Sequence, residues 1–326
     1  MSLNDFLGEM RPEIEKELRK AIGRVDAAEN ALLWEMMAYH LGWEGEGAGP
    51  DAQGKRVRPV LVSLSAAVAG ADWRAALPAA VAVELIHNFS LVHDDIQDHS
   101  PLRRGRPTLW VKWGVPQAIN TGDLLFTLAQ AALLELAQTT STAQALEAMR
   151  VLERACVALT RGQHLDLYFE TQPSIPLESY WSMIGGKTAA LLGCCCELGA
   201  LAAGCSDADR AAFQRFGYSL GLAFQVWDDW LGIWGDAERT GKSTEGDLVA
   251  GKKTLPVLFG IQQNGRFARR WQQGAIQAHE VPELAEVLMA EGAKTYAEES
   301  AERLTAEALQ ALEMVTREDR QAALAL

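Results

Sequence analysis

Residues 84–108 read ELIHNFSLVHDDIQDHSPLRRGRPT and combine a helical pattern with clustered charge. Apolar residues recur there at steps of three and four, which predicts an amphipathic helix. They are Leu85, Phe89, Val92 and Ile96. On that helix Asp94 and Asp98 lie one turn apart on the same face, with Asp95 beside them. Carboxylates this close repel one another, so the stretch predicts either a solvated acidic helix end or a site for a hard cation such as Mg²⁺.

The residues that follow this helix favour the cation site. Arg103, Arg104 and Arg106 come shortly after Asp98, with Gly105 among them. A phosphate group bound by metal alone keeps part of its charge unmatched, and guanidinium groups supply the missing counter-charge. The combination of carboxylates and arginines therefore predicts a site for a diphosphate.

A second stretch repeats this arrangement. Residues 224–232 read FQVWDDWLG and place Asp228 and Asp229 on an apolar helix. A basic loop that contains glycine follows, with Lys242 and Lys252. Two acidic helices that each lead into a basic loop predict two walls of a single cavity.

Composition limits the class of protein. The 326 residues, 48% of them hydrophobic, suffice for one large domain with a sizeable core. The net charge of −13 argues against a general affinity for nucleic acid or anionic membranes. The N-terminal residues are charged throughout, unlike a signal peptide, and the apolar run at 189–203 is too short to span a bilayer. We therefore expect a soluble, cytoplasmic protein without stable membrane insertion.

The cysteines suggest neither a zinc site nor a disulfide framework. Three of the five are consecutive, and on a helix such neighbours point about 100° apart. We interpret all five as small buried residues in a reducing compartment. They are Cys156, Cys194, Cys195, Cys196 and Cys205.

Helical periodicity continues along the chain, and few runs alternate with the period of a strand. No fixed repeat or low-complexity linker divides the sequence, so we predict a single all-α domain over residues 1–326, a large helical bundle around a deep central cavity. Pro78 is expected to open the acidic helix, since proline is tolerated in a first turn. The predicted helices are 3–21, 26–41, 60–70, 78–98, 115–138, 142–170, 177–204, 206–234, 254–262, 266–276, 281–291 and 293–323.

Several smaller motifs have both a structural and a functional interpretation. The cationic turn GKRVRP at 54–59 is either a solvated loop or a grip for a diphosphate. Lys187 in GGKT at 185–188 either extends along an apolar helix to solvent or binds a ligand that the glycines let approach. His87 is either a core residue or part of the site. The tryptophans at 227, 230 and 234 have the spacing of core packing.

Five motifs in order resemble the trans-isoprenyl diphosphate synthases, also called the polyprenyl synthetase family. They are GKRVRP, DDIQDHSPLRRGRPT, GGKTA, FQVWDDWLG and the segment that ends in GKKTLPV. The resemblance, which is of the geranylgeranyl diphosphate synthase type, implies an all-α fold, usually a homodimer. It also implies the condensation of isopentenyl diphosphate with an allylic diphosphate through an allylic cation.

The resemblance also implies roles for individual residues. Asp94 and Asp98 would hold two Mg²⁺ ions with support from Asp95, and Asp228 a third ion with Asp229 nearby. The expected contacts to the allylic diphosphate are Arg103, Lys187, Gln225, Lys242 and Lys252. The expected contacts to isopentenyl diphosphate are Lys55, Arg58, His87 and Arg104. Thr188 and Gln225 would lie beside the developing cation.

One position departs from the family pattern. The second acidic motif usually ends in aspartate, and here that position is Gly232. Its loss leaves the geometry of the third metal open, and Asp236, one turn further along, is a candidate substitute.

The residues before the first acidic motif are expected to set the length of the product. Phe89 would form the floor of the tail cavity beside the small Ser90, with Ile86 and Val83 on the turns below, a pattern that resembles twenty-carbon synthases. A farnesyl or slightly longer product and a non-catalytic partner subunit are the alternatives. A terpene cyclase would not need the isopentenyl grip of Lys55, Arg58 and Arg104.

Overall fold

The structure is a computed structural model, and it describes residues 3–25, 28–235 and 246–315. Helices dominate these residues, which confirms the predicted all-α class. The N-terminal helices are α1 Leu3–Ile22, α2 Ala31–His40, α3 Pro50–Gln53, α4 Val57–Val68, α5 Leu77–Gln97, α6 Leu109–Trp113, α7 Val115–Leu134, α8 Leu136–Thr139 and α9 Thr142–Glu170. A 3₁₀ turn, Trp73–Ala76, precedes α5.

A π-helical segment, Gly185–Ala189, separates the first of the remaining helices from the others. The remaining helices are α10 Leu177–Ile184, α11 Ala190–Ala202, α12 Asp207–Trp234, α13 Gly246–Val249, α14 Leu255–Gln262, α15 Arg266–Trp271, α16 Val281–Ala290 and α17 Ala293–Glu313. A second 3₁₀ turn, Ala278–Glu280, precedes α16. Within the described ranges the sheet content is one hairpin, in which β1 Leu102–Arg103 pairs antiparallel with β2 Arg106–Pro107.

Most predicted helices are present, and the differences have local causes. The helix predicted from 26 begins at Ala31, and residues 26 and 27 lie outside the described part. The helix predicted over 266–276 ends at Trp271, before Gly274 adopts a φ of 102°. A left-handed backbone of this kind cannot continue a right-handed helix. The hairpin and the short helices α3, α6 and α13 were not predicted.

The described residues form two compact units. The first contains residues 3–25, 28–153, 195–213 and 315, and the second contains 154–194, 214–235 and 246–314. The single domain expected from the sequence stays a prediction.

Helix α5 is the centre of the first unit. Pro78 lies in its first turn, as predicted, and most of its side chains up to Val92 are buried against α7, α4 and α1. Burial of a long apolar face provides the main free-energy gain that holds such a helix in place. The charged residues at the end of α5 are therefore fixed by the apolar residues before them.

In the second unit, two apolar clusters surround the C-terminal half of α12. One contains Tyr180, Val226 and Leu255, and the other contains Ile233 and Leu288. Side chains on α12 thus contribute to both clusters, which fixes the helix that carries the second acidic motif.

Two apolar helical stretches are long enough to cross a membrane by length and composition. They are Trp73–Gln97 and Leu177–Ala202, and most of each is buried in protein, as core helices usually are.

The cysteines are all free, and four of the five are buried as expected, whereas Cys205 is half-buried. Trp230 and Trp234 pack on the apolar clusters, but Trp227 is 38% exposed, so the core interpretation is wrong for that residue.

Candidate active site

The last turn of α5 brings the first acidic motif together. The Asp98 amide donates to the Asp94 carbonyl at 2.8 Å, so these residues lie one turn apart on the helix. Asp94 is half-buried and Asp98 is exposed, whereas Asp95 is 2% exposed. The C-terminal end of a helix carries partial negative charge, which adds to the repulsion among the carboxylates. A cation at this turn would relieve both effects.

Asp95 is bonded to the first arginine of the following hairpin. Arg103 Nε donates to both Asp95 carboxylate oxygens at 2.8 and 2.9 Å, and its Nη2 lies 2.8 Å from Oδ1. Burial raises the pKa of Asp95, and the Arg103 guanidinium opposes that rise. The middle carboxylate thus orients an arginine, which fits the supporting role expected from its place in the motif.

The hairpin that carries the arginines turns at Arg104 and Gly105. Both residues have positive φ, 51° and 74°, as a tight primed turn requires. Arginine is strained in this conformation. Arg104 Nη1 donates to the Ala52 carbonyl at 2.8 Å, and a Cβ at Gly54 would lie 2.6 Å from the Arg104 guanidinium carbon. Gly54 therefore makes room for Arg104 beside the cationic turn.

Arg56, inside the cationic turn, is a structural residue. It is 5% exposed and has a φ of 50°. Its guanidinium donates to Glu15 at 2.5 Å, to Glu84 at 2.8 Å and to the Leu41 carbonyl at 3.2 Å. A buried guanidinium needs such partners to offset its desolvation. Arg56 therefore anchors the turn, and Lys55 and Arg58 on either side remain for a ligand.

Arg106 of β2 also has a structural role, because it bonds to the loop that precedes the cationic turn. It donates to the carbonyls of Tyr39, Glu44 and Glu46 at 2.8, 2.6 and 2.9 Å. Its guanidinium also lies 3.9 Å from the centre of the Tyr39 ring. The hairpin is thereby attached to the glycine-rich loop that leads to the cationic turn.

The predicted isopentenyl contacts belong to the same unit. Lys55 is exposed, Arg58 and His87 are half-buried, and Arg58 Nε is buried without a hydrogen-bond partner among the described residues. Burial lowers the pKa of Arg58, and burial with the charge of Arg58 lowers the pKa of His87 well below its ordinary value. Glu84 offsets part of the charge of Arg58, and the positive charge that remains favours the binding of an anion.

Phe89 lies five residues before Asp94 and is half-buried. Its ring packs edge-to-face on Phe126 of α7 and on His93, with centroids 5.2 and 4.9 Å apart. The Ser90 hydroxyl donates to the His87 carbonyl at 2.8 Å, within its own helix. Ile86 and Val83 are both fully buried.

In the second unit, the GGKT motif forms the π-helical segment between α10 and α11. A Cβ on Gly186 would lie 2.6 Å from the Ala158 carbonyl, and one on Gly162 would overlap the Lys187 backbone. The glycines therefore permit the close approach of α9 to this segment. Lys187 forms an ion pair with Asp166 of α9. π-Helical segments often coincide with functional sites.

A chain of hydrogen bonds connects this segment with the second acidic motif. The Thr188 hydroxyl donates to Gln225 Oε1 at 2.8 Å, and Gln225 Nε2 donates to Asp229 at 3.0 Å. Asp229 also accepts from the Tyr180 hydroxyl at 2.7 Å and the Leu255 amide at 2.9 Å. Burial raises the pKa of Asp229 to about 6, and these bonds oppose the rise. Asp229 therefore orients Gln225, while Asp228 is half-buried beside it.

Gly232, the departure from the family motif, lies against Asp247 of α13. A Cβ at position 232 would overlap Asp247 Oδ2. The same carboxylate lies 3.3 Å from the ammonium group of Lys252, which is exposed. A carboxylate from α13 therefore occupies the space beside the position where the motif lacks one. Lys242 and Asp236 lie outside the described residues.

A protein-family comparison identifies the family of the chain. The model of the family described as polyprenyl synthetase matches residues 49–288, which is more than half of the chain. The chain belongs to the polyprenyl synthetase family. The prediction that it is a prenyl-transferring enzyme of the polyprenyl diphosphate synthase type is confirmed by this membership.

Individual relatives of this polyprenyl synthetase are also similar over most of their length. The geranylgeranyl diphosphate synthase of Mycobacterium tuberculosis is 46% identical over 72% of this chain and 67% of that one. The (2E,6E)-farnesyl diphosphate synthase of the same organism is 39% identical over 95% of this chain and 86% of its own length. The crystal structure of polyprenyl synthetase from Streptomyces coelicolor has a TM-score of 0.88 and 36% identity. The match covers 99% of this chain and 98% of that one.

The donors in this polyprenyl synthetase fit Mg²⁺ held jointly with a substrate. Within the described ranges, no group of three or more His, Cys, Asp and Glu side chains could hold a metal ion alone. Mg²⁺ typically takes one or two carboxylates and completes its shell with water and substrate phosphates. Asp94 and Asp98 on one helix turn, and Asp228 on α12, match that pattern.

Sequence reasoning missed residues whose partners lie far along the chain. Tyr180, Asp166 and Asp247 each bond a predicted site residue or its neighbour from another helix. Phe126 packs on Phe89 across 37 residues, from 89 to 126. A signal was present for Asp247, which lies between two predicted lysines.

The buried fork of Arg56 leads to a stability prediction. We expect Arg56→Met to lower the free energy of unfolding by about 3–5 kcal/mol, because Glu84 would be left buried without its counter-charge. Chemical denaturation measures the change. Arg303→Met is the control, since Arg303 forms an exposed helix pair with Glu307 worth less than about 1 kcal/mol. Equal effects of the two variants would contradict the anchoring role.

The contact of Gly232 with Asp247 leads to a second prediction. Restoring the family residue with Gly232→Asp is expected to destabilise the protein by about 1 kcal/mol, because its Cβ displaces the flexible Asp247 carboxylate and its own carboxylate adds a like charge beside it. The double variant Gly232→Asp, Asp247→Gly should recover most of that loss in chemical denaturation. Gly8→Asp, where a Cβ meets open space, is the control. A Gly232→Asp protein as stable as the wild type would refute the steric argument.

Proposed function

We propose that this polyprenyl synthetase condenses isopentenyl diphosphate with an allylic diphosphate and stops mainly at the twenty-carbon geranylgeranyl diphosphate. The observation that carries the proposal is the placement, at the end of α5, of two carboxylates for metal beside Arg103, itself oriented by Asp95. The similarity to a geranylgeranyl diphosphate synthase supports the product. The similarity to a farnesyl diphosphate synthase favours the shorter product as the alternative.

In the proposed reaction, residues of the first unit bind the negatively charged diphosphates of both substrates. The C–O bond between the allylic carbon and its diphosphate breaks with both electrons on the diphosphate. Arg103 donates to that developing anion, and its geometry is fixed in advance by Asp95, so little reorganisation is needed. Lys55, Arg58, His87 and Arg104 hold the diphosphate of the second substrate, whose alkene then attacks the allylic carbon. The departing diphosphate takes the proton that this carbon chain loses.

Mg²⁺, when bound to Asp94, Asp98 and Asp228, would neutralise the leaving diphosphate as a Lewis acid, and three ions are proposed. The protein's own contribution is to hold these carboxylates on helices fixed by apolar packing. Charge placed in advance of the reaction stabilises the separated ions without the cost of reorienting water.

The second unit supplies groups for the cation and the leaving group. Thr188 and Gln225 present oxygen atoms, and the bond from Gln225 Nε2 to Asp229 fixes which end of the amide carries the oxygen. Lys187, Lys252 and Lys242 are the proposed ammonium contacts to the allylic diphosphate. Their positive charges lower the energy of the departing anion.

The enzyme is further proposed to act as a homodimer in the cytoplasm. Exposed apolar side chains on α6 and α7 support a protein partner for that face. They are Val111, Val115 and Ile119, with exposures of 47%, 40% and 41%.

A condensation assay tests the proposed function. Purified protein with Mg²⁺ and isopentenyl diphosphate receives the five-, ten- and fifteen-carbon allylic primers in turn, and the chain length of the products is measured by chromatography. We expect condensation that stops at twenty carbons. A fifteen-carbon stop would replace the product with farnesyl diphosphate. No condensation with any primer would refute the proposal and favour a non-catalytic partner subunit.

The carboxylates at the end of α5 should be essential. We expect Asp94→Ala and Asp98→Ala to lower kcat/KM about 100-fold or more, since metal stabilisation of the leaving group is worth several kcal/mol. Calorimetric titration of Mg²⁺ with inorganic diphosphate present should show weaker metal binding in both variants. Asp207→Asn, at an aspartate with 98% of its side chain exposed, is the control. Unchanged metal binding in both variants would contradict the assignment.

The aromatic pair on α5 and α7 should limit product length. We expect Phe89→Ala to give longer products, and Phe126→Ala to do the same, because each ring holds the other in place across 5.2 Å. Chromatography of the dephosphorylated products measures the distribution. Phe259→Ala is the control, as it removes one ring of another stacked pair, with Tyr296. A product spectrum unchanged in both test variants would contradict the assignment of Phe89 as the floor of the tail cavity.

A further inference from the structure

A pocket in the first unit contains more positive charge than its carboxylate can balance. Its polar and charged lining residues include Tyr39, His40, Asp95, Arg103, Arg104 and Arg106. Asp95 is the carboxylate, and it is already bonded to Arg103. Unbalanced guanidinium groups around a concave surface attract an anion. The pocket therefore has the electrostatic character of an anion site.

Two of these side chains form hydrogen bonds within the fold. Arg106 donates to three backbone carbonyls, as described above. The Tyr39 hydroxyl donates to the Pro107 carbonyl at 2.9 Å, and its ring lies under the Arg106 guanidinium. Both side chains are held in place by these bonds and shape the pocket.

His40 is different. It is the last residue of α2, and its Nε2 atom is buried without a hydrogen-bond partner among the described residues. An unsatisfied buried polar atom costs roughly 1–3 kcal/mol, so a retained one in a charged pocket requires an explanation.

We infer that His40 is a further binding residue for isopentenyl diphosphate and that its Nε2 hydrogen-bonds to a diphosphate oxygen. The inference rests on the proposed function, because it assigns this pocket to the second substrate through Arg104. His40 would join His87 as a second imidazole on the same anion. Nothing in the motif pattern singles it out, since it lies before the cationic turn.

The charges around His40 explain how an imidazole can serve an anion. Burial, and next the charges of Arg103 and Arg104, lower the pKa of His40 to about 3, so the ring is neutral in the free protein. The charged and titratable groups that face it are Arg56, His87, Asp95, Arg103 and Arg104. A bound diphosphate offsets the arginine charges, so Nε2 takes up a proton from solvent and donates it in a hydrogen bond to the anion.

Steady-state kinetics test the inference with two substitutions. His40→Leu removes the donor, and His40→Gln keeps an amide near the position of Nε2. We expect His40→Leu to raise KM for isopentenyl diphosphate about tenfold, the value of one charge-assisted hydrogen bond, while KM for the allylic primer and kcat change less than about threefold. His40→Gln should recover most of the loss. His279→Leu, at an exposed histidine, is the control.

A binding measurement separates this inference from the proposed function. Inorganic pyrophosphate is titrated calorimetrically into each variant in EDTA, where carboxylates cannot hold metal and only the cationic sites bind. Weaker binding to His40→Leu, restored in His40→Gln, supports the inference even if the wild type condenses no substrate. Equal affinity of all variants overturns it. An equal rise of both KM values in His40→Leu also overturns it, because that result indicates a structural role alone.

Discussion

The ion pair between Arg103 and Asp95 determines how the remaining charges around α5 can be used. Three carboxylates at the negative end of a helix repel one another, and the guanidinium neutralises the one that is buried. Asp95 is neutralised within the protein, whereas Asp94 is half-buried and Asp98 is exposed, and we propose the latter two as the carboxylates that hold a metal. Because Arg103 is oriented by the same pair, a donor stands ready for the phosphate that such a metal would bind.

The other arginines around the site also differ in whether the protein itself supplies their hydrogen-bond and charge partners. Arg56 and Arg106 have all their partners within the protein, and they hold the turn and the hairpin in place. Arg58 and Arg104 lack carboxylate partners among the described ion pairs, and so they are the ones suited to an anion. In the second unit Asp229 has a structural role, since it accepts three hydrogen bonds and orients Gln225.

The sequence was sufficient for the helices and for the family, because long amphipathic periods and five ordered motifs are strong signals. It could not separate Arg56 from Arg58. The two are alike in the motif, and their difference depends on Glu15 and Glu84, which lie 41 and 28 residues from Arg56. The hairpin escaped prediction because each strand has two residues. Gly232 was seen as a loss, whereas its meaning depends on Asp247, which reaches it from another helix.

The metal dependence of two ligands, compared by calorimetry, tests most directly how carboxylates and arginines share the binding of substrate. An unreactive allylic thiodiphosphate and isopentenyl diphosphate are each titrated into the wild-type protein in Mg²⁺ and in EDTA. We expect the allylic analogue to bind tightly only with Mg²⁺, since carboxylates alone would repel it, and isopentenyl diphosphate to bind in both buffers to cationic side chains. The same metal dependence for both ligands would contradict the division of carboxylates and arginines described here.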